Sequence, residues 1–94
     1  MLLASTCTGQ AGAAVSGFYD SAAKITAILE APRLADVLRQ APIRSVEEAH
    51  LQPDGSSVWI IRSQHCDVEV TLVATPPKGV GRSEWRVSEV SECR

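Results

Sequence analysis

The sequence has few aromatic residues, no long apolar run and no excess of basic residues. Aromatic side chains make up 4% of its 94 residues. No apolar stretch approaches the roughly 18 residues of a membrane-spanning helix. The net charge of −2 at pH 7 argues against nonspecific nucleic-acid binding, which needs clustered positive charge. What remains, at 45% hydrophobic and 21% charged residues, is the composition of one small globular domain.

Signatures of catalysis are also missing. The chain has no G-x-S-x-G elbow, H-E-x-x-H helix, Walker loop or dinucleotide fingerprint. His65, Cys66 and Asp67 are suitable metal ligands, but they are consecutive, and neighbours on a strand point to opposite faces. We therefore predict no enzymatic activity, no cofactor and no metal site.

The first part of the chain indicates an arm followed by two helices. Residues 1–17 are small and polar and contain three glycines, so we predict an irregular N-terminal arm ahead of a single domain over 18–94. An apolar stripe at helical spacing then predicts a helix over about 20–30, formed by Phe18, Ala22, Ile25 and Leu29. Pro32 suits the first turn of a second helix, predicted over about 33–40.

From Ile43 onward the pattern is that of strands. We predict four of them, over about 44–51, 57–63, 66–75 and 83–91. Asp54-Gly55 is a hairpin signal between the first two strands, and a two-residue turn there would pair Leu51 with Val58. The prolines at 76–77 force a loop between the last two strands. The predicted fold class is α+β, with one or two N-terminal helices packed on one face of a four-stranded antiparallel meander sheet.

The register of the last hairpin predicts that two of the three cysteines lie opposite each other. If the loop is symmetric about residues 79 and 80, Leu72 faces Val87, Ala74 faces Trp85 and Cys66 faces Cys93. Glu89 then falls on the apolar side, which indicates a register error, a bulge near Ser88 or the rim of a small pocket. We predict a Cys66–Cys93 disulfide, with two reduced thiols as the alternative. A disulfide would favour a periplasmic or secreted protein, and reduced thiols a cytoplasmic one. Cys7 is left over, free or paired between chains.

The strand over 57–63 has apolar residues on both sides, and helices can cover only one side of the sheet. The other side, called the second face below, must keep one of its apolar pairs exposed unless the arm folds over it. The sequence leaves open whether this pair is Val58 and Ile60 or Trp59 and Ile61. We choose Trp59 and Ile61, with Val73, as the candidate partner contacts.

Two loops lie at the same edge of the predicted meander, at 52–55 and 76–82. Rigid sheets commonly use adjacent loops for recognition, so we add five loop residues to the candidate contacts: Asp54, Gly55, Lys78, Gly79 and Arg82. The predicted function is a small protein-interaction module of the inhibitor, immunity or adaptor type, with an unidentified protein partner or a second copy. The alternative is a small-molecule binder or enzyme with a pocket between helices and sheet, near Tyr19, Trp85 and Glu89.

Overall fold

The computed structural model describes residues 17–75 and 84–94. The predicted arm, apart from Gly17, and the loop residues Lys78, Gly79 and Arg82 lie outside the described residues. Two helices precede four strands: α1 (Gly17–Leu29), α2 (Pro32–Leu38), β1 (Ile43–Leu51), β2 (Ser57–Ser63), β3 (Asp67–Thr75) and β4 (Glu84–Val90). The strands form one antiparallel sheet in the order β1-β2-β3-β4, so the predicted α+β class and meander are confirmed. Neither described helix is long and apolar enough to cross a membrane.

Helix α1 is rotated from the predicted stripe, of which Ile25 packs against the core while Phe18 and Leu29 do not. Ile28 is fully buried, whereas Phe18 is 73% exposed and Leu29 is 47% exposed. Successive helical residues are about 100° apart, so a core centred near Ile28 leaves Leu29 on the flank. Asp20, which lies in the first turn, forms an ion pair with Lys24 at 3.2 Å.

The β1–β2 hairpin has a longer loop than the two-residue turn predicted at Asp54-Gly55. Gly55 N–H donates to the Gln52 carbonyl, and within this loop Gly55 alone has a positive φ, of 92°. A two-residue type I′ turn would need a positive φ at Asp54 as well, whereas Pro53 favours the first turn position of a type I turn. The register therefore moves by one residue, and Leu51 pairs with Ser57 instead of Val58.

The β3–β4 hairpin follows the predicted register near its loop and departs from it beyond a bulge. Leu72 pairs with Val87 as predicted, but Thr71 pairs with Glu89, so Ser88 is an extra residue in β4. Ala74 also pairs with Trp85, as predicted. The bulge turns Glu89 away from the helices and allows Val90 to enter the core opposite Val70.

One face of the sheet packs against both helices. The buried cluster joins three helix residues to six strand residues: Ile28, Leu34, Leu38, Trp59, Ile61, Val68, Val70, Leu72 and Val90. The placement of Trp59 and Ile61 on the second face is wrong, since they are 4% and 0% exposed. The turn between β2 and β3 sets Trp59 opposite Val70 and Ile61 opposite Val68, on the side that the helices cover.

Candidate functional site

The second face has an apolar centre contributed by β2 and β3. Val58 and Ile60 alternate with the buried Trp59 and Ile61, so they lie on the second face. Val73 lies on the same side of β3, as predicted. Val73 and Ile60 are half-buried, whereas Val58 is buried, at 9% exposure. The second face therefore keeps Val58 and Ile60 where the sequence analysis placed Trp59 and Ile61.

Charged side chains surround this apolar centre. Arg62 binds Asp67 at 2.8 Å and approaches Glu47 at 3.8 Å, so one guanidinium bridges β1, β2 and β3. Among the strand residues, the pairing register places five carboxylates and two arginines on the second face: Glu47, Asp67, Glu69, Glu84 and Glu89, with Arg62 and Arg86. Arg94 adds a third arginine beyond the end of β4. The described part of the second face is therefore acidic.

An open groove of about 230 Å³ lies at one end of the second face. Ile60 and Arg62 of β2 line it with Glu69 of β3, and Ser91 and Arg94 close it beyond the end of β4. It combines an apolar floor with charged walls, and both of its arginines are exposed. The groove extends the contact area of the second face toward the chain's last residues.

The Asp54-Gly55 turn, predicted as a contact site, is held by its own hydrogen bonds. The Ser56 hydroxyl donates to Asp54 Oδ1 at 2.7 Å, and the Ser56 backbone N–H donates to the same atom at 2.9 Å. These two bonds hold the pKa of Asp54 below its ordinary value of 3.8. Gly55 is exposed and has open space around its Cα. The turn thus presents a carboxylate on a well-defined backbone.

The predicted cysteine pair lies at the opposite end of β3. Cys66 and Cys93 are at disulfide distance, with Cα atoms 5.5 Å apart. His65 lies beside them, and its ring nitrogens and the two sulfurs are close enough that one ligand atom from each residue lies within 4.8 Å of the others. This histidine was not predicted as a metal ligand, because strand alternation does not hold for residues 65 and 66, which stand in a turn before β3.

The residues proposed for a ligand pocket do not come together. Glu89 is exposed and lines an open groove of about 330 Å³ on the edge strand β4, and neither Tyr19 nor Trp85 contributes to that groove. Trp85 packs under the Lys24 ammonium of α1, which lies 4.7 Å from its ring centroid. Glu89 therefore lies at the bulge in an open groove that Arg33 of α2 also lines, and the predicted combination of Tyr19, Trp85 and Glu89 around one pocket is not found.

Comparison with known proteins does not connect this chain to a family. A scan against protein-family models, a search of curated proteins and a search of solved structures each gave no significant match.

Proposed function

We propose that this protein is a small, non-enzymatic interaction module that docks a basic protein segment on the second face of its sheet. The observation that carries the proposal is the half-buried pair Ile60 and Val73, packed beside the buried Val58 and surrounded by an acidic border. Apolar area supplies the affinity of such a contact, and the charges steer the encounter and exclude wrong partners.

The charge of the second face favours a basic partner over the other two candidate occupants, which are residues 1–16 and a second copy of the chain. Residues 1–16 contain no lysine, arginine or histidine, so that segment cannot neutralise the carboxylate border with its side chains. A second copy docked face to face would bring the same carboxylates together, which is unfavourable. A partner with exposed lysine or arginine beside apolar side chains can pair with the carboxylates of the border and pack on the apolar centre.

The size of the second face sets the expected strength of binding. Four strands about 4.8 Å apart, with about 3.3 Å per residue over roughly seven residues, span about 440 Å². The two partners together would bury about 900 Å², below the usual size of a stable protein interface. We therefore expect a transient complex of micromolar affinity, in which single contacts on the second face have large effects.

The test is to select peptides from a random display library on the immobilised protein and measure the binders by calorimetry. We expect peptides rich in lysine or arginine and apolar residues. Val73→Lys should weaken them about tenfold or more, as loss of a central contact does. Glu69→Lys, at the border, should weaken them less and reduce the dependence of binding on salt.

Glu30→Lys is the matched control, because it makes the same charge reversal at an exposed residue on the helix side. It should leave affinity within about twofold, and the unfolding midpoint of each variant checks that the fold is intact. Peptides that bind Val73→Lys and Glu69→Lys as tightly as the unmodified protein would overturn the proposal. So would a selection that yields no basic binder.

A further inference from the structure

His65, Cys66 and Cys93 form a compact group of three metal-ligand side chains. One ligand atom from each residue lies within 4.8 Å of the other two. The two cysteines are half-buried and the histidine is exposed, so the group can be reached from solvent. Thiolate sulfur and imidazole nitrogen are the ligands that zinc prefers in proteins.

The spacing fits a tetrahedral ion after rotation of side chains alone. With Zn–S near 2.3 Å and Zn–N near 2.0–2.1 Å, tetrahedral ligand atoms lie about 3.5–3.8 Å apart. The Cα atoms of Cys66 and Cys93 are 5.5 Å apart, so two separated sulfurs can take up that spacing about their Cα–Cβ bonds. No movement of the backbone is needed.

The backbone around Cys66 is fixed by Ser63. The buried Ser63 hydroxyl donates to the Cys66 carbonyl at 2.8 Å, and it accepts from the N–H groups of His65 and Cys66, each at 3.0 Å. Gln64 N–H also donates to the Pro42 carbonyl, which ties the turn to the segment before β1. These bonds place His65 beside Cys66 without help from the sulfur–sulfur bond.

The Cys93 side is also held by the backbone. Ser91 N–H donates to the Glu69 carbonyl at 2.8 Å, and Arg94 N–H donates to the Asp67 carbonyl at 2.9 Å. Cys93 lies between these two attachments. Opening the disulfide would therefore leave both thiols near each other and near the histidine.

We propose that the reduced form of this protein binds one zinc ion through the sulfurs of Cys66 and Cys93 and a ring nitrogen of His65. A dithiol reductant supplies two electrons and two protons to the disulfide and is itself oxidised to a disulfide. Zinc then replaces the two thiol protons, which are released to solvent. Water fills the fourth position, as in zinc sites with three protein ligands.

The ligand set of His65, Cys66 and Cys93 determines which metals can bind, and the redox state of the two cysteines determines whether any can. Thiolates bind soft or borderline ions, so zinc and cobalt fit, while calcium and magnesium, which need oxygen ligands, do not. A disulfide involves only the two sulfurs, whereas a zinc site also uses the imidazole nitrogen of a histidine. Oxidation joins the sulfurs and abolishes the site, so zinc binding reports the redox state of its surroundings.

The experiment is a cobalt titration of the full chain in a Cys7→Ser background, which removes the remaining thiol. Protein reduced with a phosphine under anaerobic conditions should show saturable thiolate-to-cobalt charge-transfer absorption at one ion per chain, with the strong visible bands of tetrahedral cobalt. Zinc should displace the cobalt. The oxidised protein should show neither absorption.

Variants separate the site from adventitious binding. Cys93→Ser should abolish the charge-transfer band, and His65→Ala should weaken cobalt binding at least about tenfold and shift the visible bands. His50→Ala is the matched control, because His50 is the chain's other histidine and is exposed on β1. His65 is exposed, so its alanine variant is expected to fold; far-ultraviolet circular dichroism checks each protein. Absence of the band in the reduced parent, or equal affinity in His65→Ala and His50→Ala, would overturn the proposal.

Discussion

Reducing the Cys66–Cys93 disulfide should lower the free energy of unfolding by a large fraction of the total. The two cysteines are 27 residues apart, and the loop-entropy relation gives about 3.6 kcal/mol for a loop of that length. A domain of this size is typically stable by about 5–14 kcal/mol. The reduced protein should therefore lose between about a quarter and three quarters of its stability.

The measurement is urea unfolding of the same protein, oxidised and reduced, in the Cys7→Ser background with a chelator present. With a urea dependence of about 1–3 kcal/mol per molar, the midpoint should fall by roughly 1.2–3.6 M on reduction. A further variant with alanine at Cys66 and Cys93 should show the same midpoint in both conditions. A loss below about 1 kcal/mol on reduction would refute the view that this bond constrains the unfolded chain.

Three further predictions concern the stability of two turns and the titration of Asp54. Ser63→Ala should cost about 1–3 kcal/mol in urea unfolding, because it leaves two backbone N–H groups of the β2–β3 turn without their acceptor; Ser88→Ala, whose hydroxyl makes only a 3.4 Å contact, should cost far less. Gly55→Ala should cost about 1–2 kcal/mol in the same assay, because alanine is strained at a φ of 92° although its methyl group meets no atom. Asp54 should titrate below 3.8 by carbon-detected NMR, because hydrogen bonds from Ser56 lower its pKa. A carboxyl whose pKa is lower in the folded state adds stability above its unfolded pKa, so this contribution should be lost as pH falls through the folded pKa, and Asp54→Asn should remove that part of the pH dependence.

The strands could be predicted because their alternation is long and consistent. In β3 every second residue is apolar from Cys66 to Leu72, and this side proved to be the one packed on the helices. The pairing of Leu72 with Val87 followed from the symmetry of the loop. The same register placed Glu89 on the apolar side, which left a register error, a bulge near Ser88 or the rim of a pocket as explanations, and the structure has the bulge.

The inward side of β2 could not be predicted because the strand is apolar on both sides. The answer depends on the length of the turn that follows it, and that turn contains no glycine. The conformation of the turn is fixed by the Ser63 hydroxyl, which donates one hydrogen bond and accepts two within four residues. A serine at that position has no distinctive sequence signature, so the burial of Trp59 and Ile61 could be learned only from the structure.

The same turn explains why the cysteine pair was predicted and its histidine was not. The cysteine pairing was predicted from the register near the loop. The bulge shifts that register by one residue before it reaches the cysteines, yet Cys66 and Cys93 still come within disulfide distance. The position of His65 relative to Cys66 is set by turn dihedrals, to which the alternation rule does not apply. Two sulfurs cannot be bonded to each other and hold a metal ion at once, so the chemistry proposed for this end of the sheet follows its redox state. The apolar centre of the second face belongs to the other side of the sheet, and its proposed contact with a basic partner depends on neither sulfur.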